Sequence, residues 1–97
     1  MKLRFTPLAV QNITEIADYL RTGNPPAAQH VRSAIYESLK ILLLFPHAGR
    51  RQNILGIRKF VTRRYRYLIY YNVDEDAQEI VILGVKHPAQ TRRFTDR

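Results

Sequence analysis

His87, Tyr67, Arg58, Lys59 and Arg63 are the residues whose types could together act on a phosphodiester. Cleavage of RNA without a metal needs a base for the 2′-hydroxyl, an acid for the leaving oxygen and cations for the phosphate. An imidazole, a phenol and long basic side chains can supply all three. Each residue also has a plain structural reading. A histidine at a strand end is more often a surface or partner contact than a general base. Tyr67 and Tyr71, spaced by two around Ile69, read as sheet packing with a wet hydroxyl. Arg58, after Gly56-Ile57 in a predicted strand, points its cation to one defined face, yet it could equally pair with Glu79 or Asp74 across the sheet. His30 and His47 fall in a helix and a loop and do not converge with His87 on a metal. The chain has no cysteine, which removes disulfides, thiolate zinc sites and cysteine nucleophiles. It has no Gly-rich phosphate loop or Gly-x-Ser-x-Gly elbow, so neither cofactor nor metal is expected.

The same cations could serve binding without catalysis. The 97 residues carry 16 Lys+Arg against 8 Asp+Glu, a net charge of +8, concentrated in the second half. From Arg50 to Val73 there are seven basic residues (Arg50, Arg51, Arg58, Lys59, Arg63, Arg64 and Arg66) and no acid. A field of one sign attracts a polyanion or an acidic protein. Tyr65, Tyr67, Tyr70 and Tyr71 are interleaved with these cations, and arginine with tyrosine can hold phosphates and stack on bases. The alternative is the solvated surface of a basic protein.

These residues need a scaffold. With 45% hydrophobic and 25% charged residues the composition is that of a packed globule, and the length allows one domain, residues 1–97. No apolar stretch is long enough for a signal peptide or a membrane span, so a cytoplasmic protein is the default expectation. Lys2 to Thr6 alternates as a strand. Thr6-Pro7 starts a helix to about Arg21 that buries Ala9, Ile13, Ile16, Ala17 and Leu20. Gly23 is expected as its left-handed stop, with Asn24 capping a second helix from about Pro26 to Phe45 and the two packed as an antiparallel hairpin. The second helix turns Ala28, Val31, Ile35, Leu39 and Leu42 inward. Its end, Ile41 to Phe45, is apolar on all sides: either sunk in the core, the favoured reading, or left exposed for another chain. Three strands follow: Leu55 to Val61, Tyr65 to Val73, and Glu79 to Lys86 with Val81, Leu83 and Val85 on one face. The class is α+β, a three-stranded antiparallel sheet with the first strand added at one side, helices on one face and an open second face bearing arginines and tyrosines.

The whole chain resembles the RelE/ParE toxin superfamily of type II toxin–antitoxin modules. The resemblance runs from Phe5-Thr6-Pro7 through Asn24-Pro25-Pro26-Ala27-Ala28, Leu42-Leu43-Leu44-Phe45-Pro46, Gly49-Arg50, Gly56-Ile57-Arg58 and Tyr67-Leu68-Ile69-Tyr70-Tyr71 to Ile80-Val81-Ile82-Leu83-Gly84-Val85-Lys86-His87. It implies a growth inhibitor, of use in plasmid stabilisation, held inactive by a cognate ParD-like antitoxin. Leu43, Leu44 and Phe45 are the candidate antitoxin contacts. Pro46, Gly49-Arg50, Gly56-Ile57-Arg58 and the long hairpin look more like ParE, whose members inhibit DNA gyrase. On that reading Arg50, Arg58, Lys59, Arg63, Arg64, Arg92 and Arg93 contact the target and no bond is made or broken. The alternative is a RelE-like, ribosome-dependent mRNA endonuclease in which Arg58 and Arg63 hold the phosphate and His87 or Tyr67 moves protons. After His87 the chain gives Pro88-Ala89-Gln90, where a glycine and arginines are frequent in the superfamily.

Overall fold

A computed structural model describes residues 1–88. Its elements are β1 (Lys2–Phe5), α1 (Pro7–Gly23), α2 (Pro25–Leu44), β2 (Arg50–Arg51), β3 (Arg58–Val61), β4 (Leu68–Asp74) and β5 (Glu79–Lys86). The strands form one five-stranded sheet in the order β1-β5-β4-β3-β2. β1 lies parallel to β5, and the other neighbours are antiparallel. The α+β class holds, with β2 as a strand the sequence reading did not expect.

The helical hairpin is set by its two capping residues. Thr6 accepts from the Ala9 N–H (3.1 Å), and Pro7 opens α1 where a missing N–H costs nothing. Gly23 stays helical and is not the left-handed stop that was expected. Asn24 serves both helices instead: its N–H closes α1 on the Leu20 carbonyl (2.6 Å), and its side chain accepts from Ala27 N–H (3.3 Å) to start α2. One residue therefore makes the connection. Val31, Ile35, Leu39 and Leu42 of α2 pack with Ala9 of α1 on Tyr67, Ile69, Tyr71, Ile80, Ile82 and Val85 of the sheet.

A bulge decides which residues of β5 join that core. Tyr70 pairs with Gly84 but Tyr71 pairs with Ile82, so Leu83 has no partner on β4. The extra residue shifts the side-chain phase by one. Ile80, Ile82 and Val85 consequently face the helices, where strict alternation had put Val81, Leu83 and Val85 together. The β1 pairing also stops at Ile82. Beyond it, α1 takes over the free edge of β5: the Thr6 hydroxyl donates to Leu83 O (3.1 Å), and buried Asn12 accepts from Val85 N–H (3.1 Å). Burying those backbone groups without partners would be costly, which explains why a helix carries an inward asparagine here.

Two of the expected strands are shorter than their sequence pattern. Gly56, at φ 85°, lies in a turn held by Gln52 N–H to Ile57 O (2.9 Å), so β3 starts at Arg58 and not Leu55. Tyr65 and Arg66 both have left-handed φ (67° and 54°), so β4 starts at Leu68 and not Tyr65. The second face of the sheet is also not open at its centre. Leu68, Tyr70 and Val81 lie on it and are buried. No helix among the described residues is long and apolar enough to cross a membrane.

Candidate functional site

The arginines of the basic run fall into two environments. Arg58, at the start of β3 and opposite Tyr71, donates from Nη1 to the carbonyls of Gly49 (2.8 Å) and His47 (3.2 Å). Tyr71, fully buried, donates its hydroxyl to Pro46 O (2.7 Å) and accepts from Gly49 N–H (2.8 Å). These four bonds fasten the segment that leads from α2 to β2. Burial pushes the Tyr71 hydroxyl above its ordinary pKa, with the Gly49 N–H and the Arg58 charge opposing that rise. Gly49 has no room for a side chain, since a Cβ would stand 2.7 Å from the Tyr71 ring and hydroxyl and 2.9 Å from Lys59 O. Arg58 pairs with neither Glu79, which binds Arg4 (3.0 Å), nor Asp74.

Arg63, Arg64 and Arg66 have the opposite setting. They project from the β3–β4 turn, all exposed together with Tyr65. The turn is anchored by Thr62, itself almost wholly buried. Its hydroxyl accepts from Tyr67 N–H (2.9 Å) and donates to Arg64 O (2.6 Å), while its own N–H reaches Tyr67 O (2.9 Å). One side chain thus replaces a backbone ladder bond and holds two consecutive left-handed residues that a non-glycine chain adopts only under constraint. Arg64 stands 5.8 Å from the Tyr65 ring centre, a stack that leaves its N–H groups free for a partner.

Tyr67 and His87 meet directly. Their rings are edge to face at 5.4 Å and line a groove of about 490 Å³ with Asn12, Glu15, Tyr19 and Lys86. Burial, then the neighbouring Tyr19, raises the Tyr67 pKa, so at neutral pH its hydroxyl is a proton donor and not a phenolate. Arg58 is not in this groove. Its partner Tyr71 lies four residues beyond Tyr67, a rise of about 13 Å in extended chain.

Lys59 pairs with Arg50 on one side and Tyr70 on the other, which places both cations on the second face of the sheet. Arg92 and Arg93 lie outside the described residues. At the end of α2, Leu44 is 73% exposed and Phe45 63%, with Leu43 also exposed. The core reading of this end is therefore replaced by the exposed one. Leu42 has already filled the core position, and Leu43, Leu44 and the capping Phe45 are left outside it. Tyr71 packs in the sheet as expected, but its hydroxyl is bonded to Pro46 O and Gly49 N–H and not left wet. Asn12, Thr62 and Gly49 were not picked out by sequence reasoning for these positions. A polar residue in an apolar helical stripe is the one visible signal for Asn12, and Thr62 carries none.

Against this geometry stand the comparisons. A family model described as the ParE toxin of the type II toxin–antitoxin system parDE matches residues 3–92. The protein Y4kP of Sinorhizobium fredii, a toxin candidate by name, is 30% identical over 89 residues, covering 92% of this chain and 90% of its own. A chain of the chromosomal ParDE toxin–antitoxin system from P. aeruginosa superposes with a TM-score of 0.76 at 26% identity, over 90% of this chain and 95% of that one. The isolated RelE toxin of E. coli shares the fold, with a TM-score of 0.69 at 17% identity over 94% of this chain and 87% of its own.

Proposed function

This chain belongs to the ParE toxin family of type II toxin–antitoxin systems, and from that premise we propose that it arrests growth by binding DNA gyrase, with a cognate ParD-like antitoxin holding it inactive. The observation that supports binding over cleavage is the dispersal of the groups that cleavage would need together. Tyr67 and His87 are in contact, but Arg58 is bonded to the carbonyls of His47 and Gly49 at another place on the sheet. A guanidinium already engaged with two carbonyls has less to offer a phosphate than one in water. The arginines that remain available, Arg63, Arg64 and Arg66, sit on a turn whose shape is fixed from beneath by Thr62. A preformed, exposed, cationic turn suits docking on a protein or nucleoprotein target, because little order is lost on binding.

The antitoxin reading is supported by the outer stripe of α2. Tyr36, Leu43, Leu44 and Phe45 are all exposed, and such a patch loses contact with water when another chain covers it. The ParDE and RelBE structures with this fold are two-component systems.

A second reading, ribosome-dependent mRNA cleavage, is favoured by one feature: the Tyr67–His87 pair shares its groove with Lys86 and follows the arginine turn. The two are separated by inducing the chain briefly without antitoxin, then following supercoiling by gyrase and transcript ends by primer extension in the same cells. Loss of supercoiling with intact transcripts is expected. Codon-phased cuts in translated mRNA with gyrase unaffected would transfer the function to the Tyr67–His87 groove.

A further inference from the structure

The four bonds of Arg58 and Tyr71 form a clamp on the segment between α2 and β2, and beside it lies a second cavity. It measures about 310 Å³, and its walls include His47, Arg51, Leu55, Arg58 and Val73. Arg51 and Arg58 are directly paired across β2 and β3. Like charges in that position repel, and a cross-strand pair of this kind costs stability unless something compensates it. Arg58 directs Nη1 at the His47 and Gly49 carbonyls. Arg51 is exposed and its side chain forms no hydrogen bond or ion pair among the described residues. Glu75 reaches only His47, at 3.3 Å on the rim. The cavity is therefore short of negative charge.

Gln52 and Asn72 also line it, and its outer edge is apolar. Leu55, at the tip of the turn between β2 and β3, is 98% exposed, and Ile54 beside it is also exposed. The cationic cavity thus has an exposed apolar edge at Leu55. A free phosphate would find the cations but no use for the leucine. A peptide with an acidic side chain flanked by aliphatic ones would use both.

We infer that this cavity is the seat of an acidic side chain of a bound peptide, its carboxylate held by Arg51 and an aliphatic neighbour resting on Leu55. The inference rests on the toxin–antitoxin reading for the source of such a peptide. The binding itself is measured without growth, gyrase or ribosome, so its failure is distinct from the failure of that reading.

The probe is a capped pentapeptide of alternating glutamate and leucine, titrated into the purified chain by calorimetry and by backbone amide spectra. Binding is expected to move the amides of Arg51, Leu55 and Arg58. Arg51→Gln should weaken it about tenfold, as befits one charge-assisted hydrogen bond, and since Arg51 anchors nothing in the fold its spectrum should otherwise match the parent. Leu55→Ala should also weaken it while leaving the fold intact. Equal affinity for the same peptide with glutamine in place of glutamate would overturn the inference. So would unchanged affinity in Arg51→Gln, and so would complete displacement of the peptide by inorganic phosphate, which would show that the cavity takes any oxyanion.

Discussion

Arg58 and Arg64 come from the same acid-free run, six residues apart, yet one is a structural bolt and the other a free cation. Arg58 has exchanged water for the carbonyls of His47 and Gly49, so its charge is used inside the molecule. Arg64 and its neighbours on the β3–β4 turn keep their hydration and their reach, while the turn beneath them is fixed by the Thr62 hydroxyl. A hydrogen bond to a charged group is worth about 1.5–3 kcal/mol when formed in the protein, whereas an exposed cation away from such features contributes within about 0.5 kcal/mol. Counting charges cannot separate these roles. What separates them is what each guanidinium reaches: that of Arg58 meets the carbonyls of the segment between α2 and β2, and those of the turn project into solvent.

If that contrast holds, the clamp is a stability element and the turn is not. Gly49→Ala tests it most severely, because a Cβ would overlap both Tyr71 and a backbone carbonyl on β3. The expected loss is about 3 kcal/mol, the upper end of ordinary overpacking, read as a shifted urea midpoint. Arg58→Gln should follow at about 1.5–3 kcal/mol. A neutral result there would dissolve the comparison, since Arg58 would then be as free as Arg64.

Tyr71→Phe comes next, at about 1–3 kcal/mol, because the buried Gly49 N–H and the half-buried Pro46 C=O lose the hydroxyl. It also carries a pH signature. The folded pKa of Tyr71 is raised above its ordinary 10.0, so the native state holds its proton longer than the unfolded chain. Its contribution is complete below the unfolded pKa and is lost as pH rises through the folded one. Stability of the parent chain should therefore fall with alkaline pH from about pH 10 upward. The slope should be shallower in Tyr71→Phe, with Tyr67, raised in the same direction, accounting for part of what persists.

The sequence made some of this plain. Thr6-Pro7 and Asn24-Pro25 announce the helix starts because capping and proline geometry act within three residues. The apolar stripe of α2 announced the core from Val31 to Leu42 because burial follows the helical period. Long-range choices were not visible. The Leu83 bulge depends on how β5 meets β4, and it reverses the face assignments before it relative to Val85, so a perfect alternation misled. Thr62 fell in the gap between two expected strands, and Tyr65 and Arg66 read as the start of the second, because left-handed φ in a tyrosine or an arginine has no sequence signature. Arg58 stood out correctly as a residue with one defined direction, but only the fold reveals that the direction leads to backbone carbonyls. The Arg92-Arg93 pair lies outside the described residues and stays with the proposed target contacts.

The smallest expected change in stability is the most informative about function. Arg63, Arg64 and Arg66 are exposed and enter no ion pair among the described residues, so replacing all three with glutamine should shift stability by no more than about 0.5 kcal/mol per site. Growth inhibition in the absence of antitoxin should nevertheless be lost, because the turn forfeits the charge that steers and holds its target. Thr62→Val provides the matched control: it keeps all three cations but removes the hydroxyl that shapes the turn, and should weaken inhibition while costing about 1–2 kcal/mol of stability. Undiminished inhibition by the triple variant would mean that the free arginines are merely solvated. The target contacts would then have to be sought on the second face, at Arg50 and Lys59. Loss of inhibition in the triple variant with full activity in Thr62→Val would show that charge matters and preformed shape does not, leaving the left-handed turn without a role in binding.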